Sequence, residues 1–163
     1  MLVLGIDPGL ATTGYALVRE AGSKREVTHF GILSTPARTP GPKRLAGLHG
    51  QLLTLLAEHR PDAAAVEQLF FGSNSTTAMQ VSEARGVILL AMELEGVPTW
   101  EYTPMQVKLS LTGYGKADKA QVTRMVRAFT GVTAKLPDDA FDAVAIALCH
   151  LQSRRMGPER RLS

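Results

Sequence analysis

Apolar positions along this chain keep two different periods, and the switches between them mark out the elements. Leu2 to Ile6 is an apolar run that ends at Asp7 and is broken by Pro8-Gly9, the pattern of a strand followed by a turn. Gly14 to Arg19 predicts a second strand, Ala21 to Lys24 a turn, and Glu26 to Ser34 a third strand. Joined this closely, the three form an antiparallel meander. A proline-rich loop over 35–42 follows, with Pro42 suited to a first helical turn. Leu45, Leu48, Leu52, Leu55 and Leu56 then recur at helical spacing until Pro61 stops the helix.

Ala63 to Val66 is apolar at every position before Glu67, which predicts a strand buried on both faces, as parallel strands are. Asn74 or Ser75 caps a long helix with Ala78, Val81, Ala84, Ile88 and Ala91 on one face, ended by Gly96 and Pro98. Thr99 to Thr103 predicts a fifth strand. Pro104 opens a brief helix that runs into Gly113-Tyr114-Gly115, and Val122, Met125, Val126 and Phe129 mark another helix closed at Gly131. Pro137 opens a last helix, rich in alanine and so able to pack closely on a sheet. The expectation is an α/β fold: a five-stranded mixed sheet with helices on both faces, in one domain over residues 1–153, with a frayed tail over 154–163.

If the fourth strand lies parallel beside the first, their carboxyl ends coincide and Asp7 and Glu67 become neighbours. Asp139 and Asp142, three apart on a helix, share a face at about 5–6 Å between Cβ atoms. Docked across those strand ends, the last helix completes a cluster of four acids. Each has a plainer explanation alone: a turn for Asp7, a surface position for Glu67, helix capping for Asp139, and solvent or capping for Asp138. Asp142 is harder to explain away, because Phe141, Val144, Ala145 and Ile146 surround it. Clustered carboxylates repel unless a cation compensates them, and oxygen-only donors select Mg²⁺ or Mn²⁺ over zinc. Two such ions about 3.5–4 Å apart clamp the attacking water and the leaving 3′ oxygen of a phosphodiester.

Bulk properties narrow the setting. The 163 residues are 45% apolar and 20% charged, ordinary for a globular domain. The apolar runs are too short for a membrane span and no leader pattern opens the chain. The single cysteine, Cys149, excludes an internal disulfide and suits a reducing cytoplasm, the expected location. Cys149 and His150 read as a packing and a surface residue. Charge distribution says more than the net +3: between Tyr102 and Lys135 six basic residues stand against Asp118 alone, and between Glu58 and Glu101 seven acids stand against Arg60 and Arg85. A basic lobe beside acids suits a polyanion brought to a metal; a solvated mixed surface is the plainer alternative.

Together, Gly-Ile-Asp-Pro-Gly with Thr13-Gly14-Tyr15, Val-Glu-Gln (66–68) and Asp-Ala-x-Asp-Ala-x-Ala-Ile-Ala (139–147) resemble the bacterial RuvC Holliday-junction resolvases. Glu-Ala-Arg-Gly (83–86), Thr-Pro-x-Gln-Val-Lys (103–108) and Ala-Asp-Lys-Ala-Gln-Val (117–122) extend the likeness over nearly the whole chain. The resemblance implies an RNase H-like fold and a homodimer that nicks two opposing strands of a four-way DNA junction, working with RuvA and RuvB. It implies metal-binding acids at Asp7, Glu67, Asp139 and Asp142, DNA-contacting lysines at Lys108 and Lys119, and an aromatic at Phe70 that stacks near the junction centre. The doublet Asp138-Asp139 offers two candidates for one ligand, and the Asp-x-x-Asp spacing favours Asp139.

Other residues are read directly. Phe70-Phe71 beside an acidic site could stack on unpaired bases, although Phe71 at least is expected to seal the core. Gly72 to Thr76, with Asn74, offers free N–H groups and hydroxyls to a phosphate, or simply caps the helix. Lys116, with Lys108 and Lys119, is placed to screen a DNA backbone. Three rivals stand beside the resolvase reading: an actin-like ATPase, for which the chain is too short to enclose a nucleotide; another nuclease of the same fold, YqgF-like; and a catalytically silent junction-binding protein.

Overall fold

The computed structural model describes residues 1–68, 75–154 and 161–162. Strands β1 (Leu2–Asp7), β2 (Thr12–Ala21) and β3 (Lys24–Ser34) form the expected meander. β4 (Ala63–Glu67) pairs parallel with β1, and β5 (Thr99–Tyr102) parallel with β4. The five-stranded mixed sheet is therefore present, and a two-residue strand, β6 (Arg161–Leu162), joins its edge antiparallel to β5, giving the order β3-β2-β1-β4-β5-β6. Residues 155–160 and 163 of the expected tail lie outside the described residues.

Helices cover both faces, and the two-residue period of the strands decides which side chains meet which helices. Leu4, Ile6, Tyr15, Leu17, Ala64 and Val66 point one way, into a core shared with α1 (Gly41–His59) and α2 (Ser75–Leu94). Val3, Ala16, Val18, Ala63 and Ala65 point the other way, towards α5 (Asp138–Ser153). Around α5 stand α3 (Pro104–Thr112) and α4 (Lys119–Thr130). Leucines face the α1–α2 layer while glycine and alanine dominate the other face, so α5 can approach the strands more closely than any other helix.

The terminators read from sequence act as such. Gly96 takes φ +66° after α2, with Val97 N–H bonded to Met92 O and Gly96 N–H to Glu93 O, a Schellman arrangement. Thr103 with Gln106, and Asp118 with Gln121, form reciprocal capping boxes at the starts of α3 and α4. Before Pro61 it is Arg60, at φ +46°, that ends α1. At α5 the cap position is held by Pro137 with no side-chain cap, so neither Asp138 nor Asp139 serves as one.

One expectation fails. His150 is 1% exposed rather than at the surface, because α5 is enclosed by the sheet on one side and by α3 and α4 on the other. Its Nδ1 lies 2.9 Å from Tyr102 Oη and its ring 4.6 Å from that of Trp100. Burial, and secondarily the charge of Arg154, push its pKa from 6.5 down to about 4. Folding therefore favours neutral His150, and its contribution is complete above pH 6.5 and declines as pH falls towards 4, where the unfolded chain binds the extra proton. The loss amounts to about 3 kcal/mol. Urea unfolding across that window should show wild type losing this much relative to His150→Gln; parallel pH profiles for the two proteins would refute it.

Candidate active site

Asp7 and Glu67 sit at adjoining strand ends. The parallel register pairs Ile6 with Val66, so the next residue on each strand is the acid. Strand alternation puts both acids on the α5 side, in the rows Val3–Gly5–Asp7 and Ala63–Ala65–Glu67. Thr13 secures the turn after Asp7, its Oγ1 donating to Gly9 O at 2.5 Å.

Two glycines let α5 bring its acids to that edge. A Cβ at Gly5 would fall 2.0 Å from Ala143 O and 2.9 Å from Ala147 Cβ. At Gly14, the cross-strand partner of Asp7, a Cβ would lie 2.1 Å from Asp139 O. Backbone thus rests on backbone at the first turn of α5, directly over the strand pair that carries Asp7. Thr12 Oγ1 then donates to Asp139 Oδ2 at 2.8 Å and orients that carboxylate. Sequence reasoning missed Thr12; the only signal available was its place in the hairpin, which becomes informative once the register to Gly14 is known.

Electrostatically, Asp7 is coupled to each of the other three acids. Burial first, then the carboxylates of Glu67, Asp142 and Asp139, raise Asp7 from 3.8 to about 7, against a smaller opposing pull from Lys119. Burial and Asp142 also raise Glu67, while Lys108 opposes. Asp142 is raised by burial and by Asp138 and Asp139, with Lys119 opposing. Of the doublet, Asp139 is the half-buried member within reach of Asp7, whereas Asp138 is exposed and holds Lys119 Nζ at 3.2 Å. Among the described residues no three acid, histidine or cysteine side chains close into a coordination sphere. The donors nevertheless fit a hard divalent cation: they are carboxylate oxygens only, and their mutual repulsion calls for positive charge.

The lysines frame this edge. Lys119 Nζ lies 3.9 Å from Asp142 as well as against Asp138. Lys108 and Lys119 line a cavity of about 240 Å³ together with Glu67, Asp142 and the apolar Val107, Val122, Phe141 and Ile146. Lys116 is exposed in the loop before α4. Phe70, Phe71 and Asn74 lie outside the described residues.

A mixed sheet in which β1, β4 and β5 run parallel, with acids at its carboxyl edge and a helix delivering two more across it, is the architecture of the RNase H-like nucleases. The family model of crossover junction endodeoxyribonuclease RuvC matches residues 3–150. A RuvC from Syntrophomonas wolfei is 49% identical over 158 residues, covering 96% of this chain and 91% of that one. A RuvC from Rubrobacter xylanophilus is 49% identical over 95% of this chain and 87% of its own. The chain belongs to the RuvC family of crossover junction endodeoxyribonucleases. Among solved structures, Thermus thermophilus RuvC in complex with Holliday junction substrate superposes with a TM-score of 0.93 at 38% identity, covering 99% of both chains. The yeast mitochondrial Holliday junction resolvase Ydc2, at 15% identity and TM-score 0.71 over 94% of this chain and 80% of its own, shares the fold.

Proposed function

We propose that this chain resolves four-way DNA junctions by paired symmetric nicks, as a divalent-metal-dependent homodimer acting in recombination and repair. The observation that carries the reading is the gathering of Asp7, Glu67, Asp139 and Asp142 at one sheet edge, beside Lys108 and Lys119, in a chain similar end to end to a RuvC solved with its junction. Asp7 and Glu67 would hold the cation nearest the scissile phosphate, with Asp139 and Asp142 completing the donor set. Mg²⁺ at two positions, or Mn²⁺ in its place, supplies activation of water and stabilisation of charge on the leaving oxygen.

The residues themselves supply position and charge. Thr12 and Gly14 fix the carboxylate and main chain of Asp139 against Asp7. Lys108, Lys116 and Lys119 neutralise the DNA backbone, each contact adding about one to the salt slope of binding. Phe70 and Asn74, which precede α2 in sequence, would meet the junction. RuvA and RuvB are the partners of this activity, and the cytoplasm is its setting; among the described residues no helix is long and apolar enough to cross a membrane.

Two-fold symmetry of the substrate calls for two sites, which a C2 dimer supplies. α2 offers the interface. Its Ala84, Ile88, Ala91 and Met92 are consumed by the core, yet Met79, Leu90 and Leu94 stay exposed at 65%, 54% and 67%. Leu90→Arg should convert the dimer to monomers in sedimentation equilibrium and replace paired nicks by single ones. Unchanged mass would place the interface elsewhere.

The direct test is cleavage of a labelled synthetic four-way junction with and without Mg²⁺ or Mn²⁺. Paired symmetric nicks that require metal are expected. Equal cutting of plain duplex would favour a general nuclease of this fold, and tight binding without product a silent junction binder.

A further inference from the structure

The Gly113-Tyr114-Gly115 loop takes no part in the acid cluster, yet it is built as a fixed mount for an exposed ring. Gly113 closes α3 at φ +75°, a left-handed conformation that glycine adopts freely. Thr112 Oγ1 accepts the Tyr114 N–H at 3.1 Å and lies 3.0 Å from the Tyr114 carbonyl oxygen, which also accepts from Ala117 N–H at 3.1 Å. Gly115 rests against Met105, where a Cβ would sit 2.8 Å from Met105 Cγ. On this mount Tyr114 is 57% exposed, and Met105 and Leu109 on α3 are exposed as well.

An apolar shelf held this firmly in solvent suits a partner with flat apolar surfaces. The surrounding charge says which partner. Lys116 and Lys119 follow Tyr114 and are exposed, and Lys108, on α3 before it, lines a cavity with Glu67 and Asp142. Flat rings on a polyanion are a DNA strand. At about 1.5 Å per residue, Thr112 lies about 6 Å beyond Lys108 along α3. That is about two nucleotide steps at roughly 3.4 Å per step.

We infer that Tyr114 stacks on a nucleobase of the strand being cut, within a few nucleotides of the scissile bond, and so positions that strand over the acids. The inference rests on the reading of the chain as a junction nuclease and adds a residue to it. Stacking of this kind is sequence-tolerant and worth about five- to a hundredfold in binding per base. The experiment uses the full chain, as wild type, Tyr114→Ala and Tyr114→Phe, on four-way junctions carrying one abasic nucleotide at successive positions around the cut. Tyr114→Ala should weaken binding to the intact junction by that factor, and Tyr114→Phe should match wild type. One abasic position should cost wild type a similar factor and cost Tyr114→Ala nothing further, the non-additivity of a direct contact. Abasic losses that are the same in wild type and Tyr114→Ala at every position would overturn the inference while leaving junction cleavage in place. A wild-type chain that neither binds nor cuts junctions would remove the underlying reading and the inference with it.

Discussion

Asp7→Asn is expected to abolish junction cleavage, by about 10³-fold or more, while leaving junction binding within a few fold. Asparagine keeps the size of the side chain and removes the charge that a divalent cation needs. The same substitution should stabilise the metal-free protein, and this second effect separates a charge role from a packing role. Asp7 carries a pKa near 7 in the folded state against 3.8 otherwise, because burial and three neighbouring carboxylates disfavour its ionised form. A group raised in this way stabilises the fold fully below pH 3.8 and loses that contribution as pH rises through 7. The loss is about 4 kcal/mol. At pH 8 without metal, Asp7→Asn should therefore melt above wild type, and the gap should narrow towards pH 5. Adding Mg²⁺ or Mn²⁺ should raise the wild-type melting temperature and move the variant far less. Equal melting at pH 8 and equal gains from metal would exclude Asp7 from the cation site.

Gly14→Ala should damage the site without touching any acid. Its Cβ would lie 2.1 Å and 2.3 Å from the carbonyl oxygen and carbon of Asp139, and backbone at a helix start cannot swing aside as a side-chain tip can. The first turn of α5 must lift, at a cost of about 1–3 kcal/mol. A displacement of about 1 Å at a reacting centre costs roughly 10²-fold in rate, so cleavage should fall by that order. Gly50→Ala is the control: it lies within α1 with open space where its Cβ would sit, and should stabilise by about 0.5–1 kcal/mol at full activity. Denaturant midpoints and cleavage rates for the pair decide the matter. A Gly14→Ala protein with wild-type rate would mean that the placement of α5 tolerates more movement than backbone contact allows.

Much of this protein is legible in its sequence because local period and punctuation are local properties. The strand at Leu2 to Asp7, the leucine face of α1, the buried run before Glu67 and the glycine stops need only neighbours along the chain to be read. In sequence the parallel pairing of β1 with β4 is only a condition suggested by two apolar runs each ending in an acid, and the alanines of α5 only permit its closeness. The register of the sheet and the glycines beneath α5 decided both.

The rest required contacts between residues far apart in sequence. Thr12 finds Asp139 across 127 positions, and Gly14 matters only because α5 lies on it. Which member of the Asp138-Asp139 doublet faces Asp7 depends on the rotation of α5 about its axis, fixed by Gly5 against Ala143 and Ala147. His150 reads as a polar residue near a helix end, yet the sheet on one side of α5 and α3 and α4 on the other enclose it. α2 carries both a buried and an exposed apolar stripe, and the sequence shows the residues without saying which stripe the core takes. Sequence by itself determined the elements and the donor chemistry; packing decided orientation, because the side-chain neighbourhood of a site is set where distant segments meet.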